Sequence, residues 1–155
     1  MNLRKSYQRV NFVMMAVVLF VLTACGSTVK IQNVDFASPI ETVSKPDNDG
    51  NVSDPRTGLS FNVMPLRDFE RRNNPNLNIT EIRFIRSHDG YYFVTAPGFV
   101  NVYVMQAREG ELRSVKRIQI NENGIQSPAF NQRNPVIQLL DGTGSSYDLT
   151  KDGII

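Results

Sequence analysis

The chain has 155 residues, 41% of them hydrophobic, with no tryptophan and with Lys and Arg at 17 against Asp and Glu at 15. Arg4, Lys5 and Arg9 stand near the start with no acid around them, so setting that segment aside takes the formal charge from +2 to −1. That balance argues against nucleic acid or another polyanion as the main partner. Cys25 is the one cysteine, which excludes an intramolecular disulfide and leaves the fold to packing and hydrogen bonds.

The three cations precede an apolar run from Asn11 to Leu22, and small residues follow at Thr23, Ala24, Cys25 and Gly26. The apolar core is short of the ~20 residues a helix needs to cross a bilayer. Its charged, apolar and small-residue parts match a secretory signal, although an uncleaved anchor with a chance cysteine is the plainer alternative. Within residues 1–27, Leu22-Thr23-Ala24-Cys25 resembles the lipobox of a bacterial lipoprotein. The resemblance implies that a signal helix, residues 1–24, is removed before Cys25 and that the Cys25 sulfur receives a diacylglyceryl group. In many bacteria the new amino group is acylated as well. Two or three acyl chains give durable attachment where one is marginal, each buried methylene adding about 0.8 kcal/mol. Gly26 stands where enteric-type lipoproteins retained in the inner membrane carry Asp. The resemblance therefore implies the outer membrane, facing the periplasm. A Gram-positive source would instead imply the outer face of the cytoplasmic membrane.

Residues 25–58 read as the lipidated N-terminus and a flexible tether. Thr28–Phe36 alternates in part and suggests a lone strand, while 37–57 holds Pro39, Pro46 and Pro55 among Ser, Asp and Asn. Such a composition buries too little apolar area to offset the entropy of ordering. The folded domain is predicted over 59–155. Leu59-Ser60-Phe61-Asn62-Val63-Met64 alternates strictly and Pro65 ends it; Leu66–Arg72 suggests one or two helical turns with Leu66 and Phe69 on one side.

The strongest β signals follow. Thr80–Arg86, the turn His88-Asp89-Gly90 and Tyr91–Thr95 read as a hairpin. After Ala96-Pro97-Gly98, the run Phe99–Met105 is apolar on both faces, which suits a central strand. Beyond Arg108-Glu109-Gly110, the alternation in Glu111–Ile120 slips between Val115 and Ile118, as a bulge would make it. Residues 126–134 read as a loop, Pro135–Leu140 as a strand, and Asp141-Gly142-Thr143-Gly144 as a turn into a short strand near Tyr147–Leu149; Ile154-Ile155 suits an edge. The predicted fold is all-β, a small antiparallel sandwich or meander sheet of about seven short strands.

Candidate sites are sparse. Asp47-Asn48-Asp49-Gly50-Asn51 with Asp54 offers hard oxygen ligands but departs from a calcium loop, with Gly50 too early and no closing Glu. A polar linker accounts for it as well. The single histidine, His88, sits in a turn, and Gly142–Ser146 lacks the Lys of a phosphate loop. No catalytic motif, metal set or cofactor signature is present, so an enzyme using Asp89, His88 and a hydroxyl ranks last. Arg83, Arg86, Arg113 and Arg117 are read as sharing one sheet face that meets an acidic partner or anionic headgroups. Tyr91, Tyr92 and Tyr103 are read as a possible aromatic platform for a protein or sugar. The expected function is a non-enzymatic interaction or assembly module of the bacterial envelope, anchored to the membrane through lipid on Cys25 and bound to an envelope protein. A glycan- or peptidoglycan-binding module on the same anchor is the alternative.

Overall fold

The computed structural model describes residues 40–155. Cys25, the signal helix and Thr28–Phe36 lie outside the described residues. In chain order the elements are β1 (Thr42–Ser44), β2 (Asn51–Asp54), β3 (Leu59–Asn62), α1 (Met64–Glu70), β4 (Ile82–Arg86), β5 (Tyr91–Thr95), β6 (Asn101–Arg108), β7 (Glu111–Gln119), β8 (Ala129–Arg133), β9 (Val136–Leu140), β10 (Ser146–Thr150) and β11 (Gly153–Ile154).

The domain is all-β apart from that one short helix, as the alternation predicts. A five-stranded sheet runs β1-β4-β5-β6-β7, a four-stranded sheet runs β11-β10-β9-β8, and β2 pairs with β3 alone. Every pairing is antiparallel. Because side chains alternate across a strand, the register assigns each one to a face. Phe84, Val94, Tyr103 and Met105 share one face of the large sheet and pack with Val52, Val63, Leu66 and Leu77 from the β2–β3 hairpin, α1 and the chain after it. Ile85, Phe93, Val102, Val104 and Ile118 take the other face and pack with Phe130, Ile137, Leu139 and Leu149 of the small sheet. The large sheet is thus covered on both sides. That explains why residues Asn101–Met105 of β6 are buried without interruption.

Turn chemistry sets the meander. Glu109 and Gly110 both take positive φ, 51° and 81°, and close a two-residue hairpin between Arg108 and Glu111. Turns of that hand match the strand twist. Further along the ladder Met105 pairs with Ser114 while Val104 pairs with Lys116. Val115 is the extra residue of a bulge, where the alternation slips.

The sequence reading is corrected in three places. The β structure begins at Thr42 rather than Leu59, so part of the predicted tether belongs to the domain. β1 adds to the edge of β4, and β2 buries Val52 to 1% exposure. A polar network helps hold them: Asp54, itself 2% exposed, accepts hydrogen bonds from Thr42 Oγ1 at 2.9 Å, Thr57 Oγ1 at 3.2 Å and Arg56 Nε at 3.2 Å. Burial alone would raise the Asp54 pKa, but the donors from Arg56 and Thr42 outweigh it and hold the carboxyl below its usual range. Secondly, the described residues hold eleven strands rather than about seven; β1, β2 and β8 were not expected, while β11 is the edge pairing that Ile154-Ile155 suggested. Thirdly, 126–134 is not all loop, since β8 pairs with β9 and buries Phe130.

Asp141 organises the β9–β10 turn. Its Oδ1 accepts from the backbone N–H of Thr143 at 2.8 Å and of Ser145 at 3.2 Å, and from Thr143 Oγ1 at 2.8 Å. The Thr143 N–H and hydroxyl hold its pKa below the usual 3.8. The unfolded chain therefore binds more protons than the folded one in the window below that value. Stability rises with pH there and is lost as pH falls through it. Asp141→Ala is expected to flatten this acid limb. Denaturant unfolding repeated across acidic pH checks it, and an unchanged slope would remove the turn from the account.

Candidate functional site

Helix α1 positions one wall of a cleft. Pro65 occupies its first turn, where a missing N–H costs nothing. Leu66 and Glu70 are buried one turn apart, and Phe69 packs at the edge of the core between them and solvent. The helix ends by tightening: the N–H groups of Asn73 and Asn74 both reach the Glu70 carbonyl, at 3.0 and 3.1 Å. This turn carries Arg72 and Asn73 toward the last strand of the large sheet.

Glu70 joins the helix to that sheet. Its carboxylate accepts hydrogen bonds from the Val100 N–H, from Asn101 Nδ2 and from Tyr103 Oη, each at 2.7 Å. All four residues are at most 8% exposed. Burial, then the Glu70 hydrogen bond and charge, push the Tyr103 phenol well above its usual range, so it stays a proton donor. A carboxylate with three donors on its two oxygens is a satisfied buried group, which makes it an anchor.

β7 forms the opposite wall. The cleft has a volume of about 1070 Å³ and is open to solvent; Phe69, Arg72 and Asn73 line one side and Ser114, Val115, Lys116, Arg117 and Gln119 the other, with Asn101 at the floor and Glu122 at the rim. The Arg117 guanidinium lies 3.9 Å from the Phe69 ring centroid and that of Arg72 lies 5.0 Å from it. Tyr103 meets the same ring edge-on, with centroids 6.5 Å apart. Among the described residues, Arg72, Lys116 and Arg117 form no ion pair. Glu122 accepts a 3.4 Å hydrogen bond from Gln119 Nε2. The cleft therefore presents two guanidinium groups stacked on one ring against a single exposed carboxylate, while Lys116 borders it from β7 but pairs with Val104 and so belongs to the opposite face. Stacking pre-orients the guanidinium forks for a carboxylate or phosphate.

The expected arginine face is not assembled. Arg86 and Arg117 lie on the helix-covered face of the large sheet with Tyr92 and Tyr103, whereas Arg83, Tyr91 and Arg113 lie on the face toward the small sheet. Arg83 is engaged internally, with Nε 2.8 Å from Glu81 Oε1 and Nη1 3.2 Å from Glu41 Oε2. The other Glu41 oxygen accepts the Phe130 N–H at 2.9 Å, so this carboxylate ties β4 to β8. Burial raises its pKa, against the Phe130 N–H and Arg83. Arg113 pairs with Glu111 at 3.0 Å, and Arg86 lies over the Tyr92 ring at 5.9 Å. The tyrosine platform is not assembled either: Tyr103 is 2% exposed, and Tyr91 and Tyr92 point to opposite faces.

The remaining candidates resolve into turns. Asp47 Oδ1 accepts from the backbone N–H of Asp49 at 2.9 Å and of Asn51 at 2.8 Å. Ser87 donates its hydroxyl to Asp89 and to the Tyr91 carbonyl within the β4–β5 turn, with His88 exposed between them. Among the described residues no three His, Cys, Asp or Glu side chains are grouped to hold a metal ion. Nor is any helix there long and apolar enough to cross a membrane.

Sequence reasoning missed Phe69, Glu70, Arg72, Asn101, Lys116 and Gln119 as members of a site. One signal was open to it: Glu70 stands four residues after Leu66, on the apolar stripe of α1, where an acid needs dedicated donors. Comparison of the chain with family models, with curated proteins and with solved structures finds no match.

Proposed function

We propose that this chain is a lipid-anchored lipoprotein of the bacterial envelope, held to the outer membrane through Cys25, whose β domain docks a partner through the cleft between α1 and β7. The observation that carries the docking role is the stacking of Arg72 and Arg117 on Phe69, two cations that form no ion pair among the described residues. Surface cations without partners are common, but two guanidinium groups stacked on one ring beside a wide polar cleft are pre-organised for a ligand. The anchor rests on Leu22-Thr23-Ala24-Cys25 and the charged and apolar segments before it.

Two measurements test the two halves. Mass spectrometry of the native protein is expected to find Cys25 at the N-terminus carrying acyl mass, and Cys25→Ser to release the protein into the aqueous fraction. A retained Met1 or a bare Cys25 thiol refutes the anchor. Crosslinking in intact membranes, followed by purification of the full-length protein, is expected to recover a partner that Arg72→Gln with Arg117→Gln no longer captures. Equal capture by that double variant refutes the cleft as the docking surface.

A further inference from the structure

The cleft lies against an open sheet edge. β7 runs from Glu111 to Gln119, hydrogen-bonds to β6 on one side and, among the described residues, pairs with no strand on the other. Alternate residues of such an edge direct their N–H and C=O groups outward, a template for one more strand. The strand is exposed along most of its length, and Val115 at the bulge is 49% exposed. Arg117, Gln119 and Ser114 face the cleft from β7, and Arg72 faces them from the turn after α1. A strand laid beside β7 would pass along the cleft mouth, presenting every second side chain to these cations.

Charge selects the occupant. Lys116, Arg117 and Arg113 on an edge strand guard against pairing with a neutral or basic segment. Arg113 is paired with Glu111, whereas Lys116 and Arg117 form no ion pair among the described residues. Acidic residues at alternate positions of an incoming strand would turn this guard into attraction. A small apolar ligand is a poor fit, because such sites are enclosed and mostly apolar. Anionic headgroups supply charge but make no use of an edge ladder or of Val115.

We propose that the cleft takes an acidic, extended segment of a partner polypeptide, added antiparallel or parallel to β7 with its cleft-facing carboxylates on Arg72 and Arg117. The proposal rests on the reading of the cleft as the docking surface and names the chemistry of what docks. It corresponds to recognition by strand addition, in which the backbone ladder supplies affinity and the alternate side chains supply specificity.

The test uses the full-length protein in detergent and an end-blocked nine-residue peptide alternating Glu and Val. Titration is expected to give saturable binding that weakens at least tenfold in three cases: Gln replacing every peptide Glu, N-methylation of alternate peptide amides, and Arg72→Gln combined with Arg117→Gln in the protein. Hydrogen exchange is expected to slow at amides within 111–119 when the Glu-Val peptide is bound. Equal binding of the Gln peptide overturns the charge argument, and equal binding of the N-methylated peptide overturns strand addition. Failure of the peptide to bind, with phosphatidylglycerol vesicles binding in an Arg72- and Arg117-dependent manner, overturns the proposal in favour of a lipid surface. Failure of the peptide while membrane crosslinking still depends on Arg72 and Arg117 rejects the acidic strand but leaves the docking role standing.

Discussion

Glu70→Ala is expected to destabilise the domain by about 3–5 kcal/mol, the cost of breaking a buried polar network by removing the partner all its members share. The substitution leaves the Val100 N–H, the Asn101 amide and the Tyr103 hydroxyl without an acceptor, in surroundings at most 8% exposed. Each orphaned donor keeps its desolvation penalty, about 1–3 kcal/mol, and the removed side chain leaves a void besides. These costs overlap because the three donors converge on one carboxylate. Glu70→Gln retains one acceptor oxygen but turns an NH2 toward at least one donor, so about 1–3 kcal/mol is expected of it. Urea unfolding of the three proteins orders them Glu, Gln, Ala from most to least stable. Near-equal midpoints would show that the network contributes little.

The same substitution is expected to open the cleft. Phe69 and Arg72 belong to α1 and the turn after it, and Glu70 is the polar tie between that helix and β6. With the tie gone, Phe69 no longer holds its place against Tyr103, and the Arg117 guanidinium loses the ring it stacks on. Stability and binding should therefore fall together. A variant that lost stability but bound the Glu-Val peptide with unchanged affinity would show that the helix keeps its position by packing alone.

The meander β4 to β7 was legible because each of its strands alternates or is apolar throughout, and each junction carries a turn residue that can take positive φ, such as Gly90, Gly98 or Gly110. β1 and β2 were not legible, since they are held by pairing and by Thr42, Asp54 and Arg56, polar residues that become stabilising only once long-range contact is made. β8 has one large apolar residue, Phe130, and local pattern cannot distinguish such a strand from a loop. Side-chain faces were partly legible. Arg83 and Arg86 are three residues apart and must diverge in a regular strand, as must the consecutive Tyr91 and Tyr92. Arg113 and Arg117 are four apart and would share a face, but the bulge at Val115 inserts one residue and turns them to opposite sides. A slip in alternation was visible, yet its consequence for those two arginines requires the paired register. The cleft itself joins α1 to β7, segments distant in the chain, and nothing local announces that meeting.

Phe93→Ala offers the complementary case. Phe93 is 1% exposed on the face of the large sheet turned away from the cleft, opposite Ile85 on β4 and Val104 on β6, in the core shared with Phe130, Ile137, Leu139 and Leu149. Truncating a buried phenylalanine removes its transfer free energy and leaves a void that close-packed neighbours fill only in part, about 3–5 kcal/mol. Urea unfolding is expected to show that loss, comparable to the loss in Glu70→Ala. The cleft should be spared. Tyr103, Glu70, Phe69 and Arg117 all stand on the opposite face, and the intact backbone ladder of β5 with β4 and β6 keeps β7 where it is. Under conditions where Phe93→Ala remains folded, the Glu-Val peptide should bind it within about twofold of the unaltered protein, a difference under ~0.5 kcal/mol. Two variants of similar instability would then differ in binding, which separates loss of the site from loss of the fold. If Phe93→Ala lost affinity as far as Glu70→Ala, the two faces of the large sheet would be coupled, and the tie through Glu70 would not be what holds the cleft.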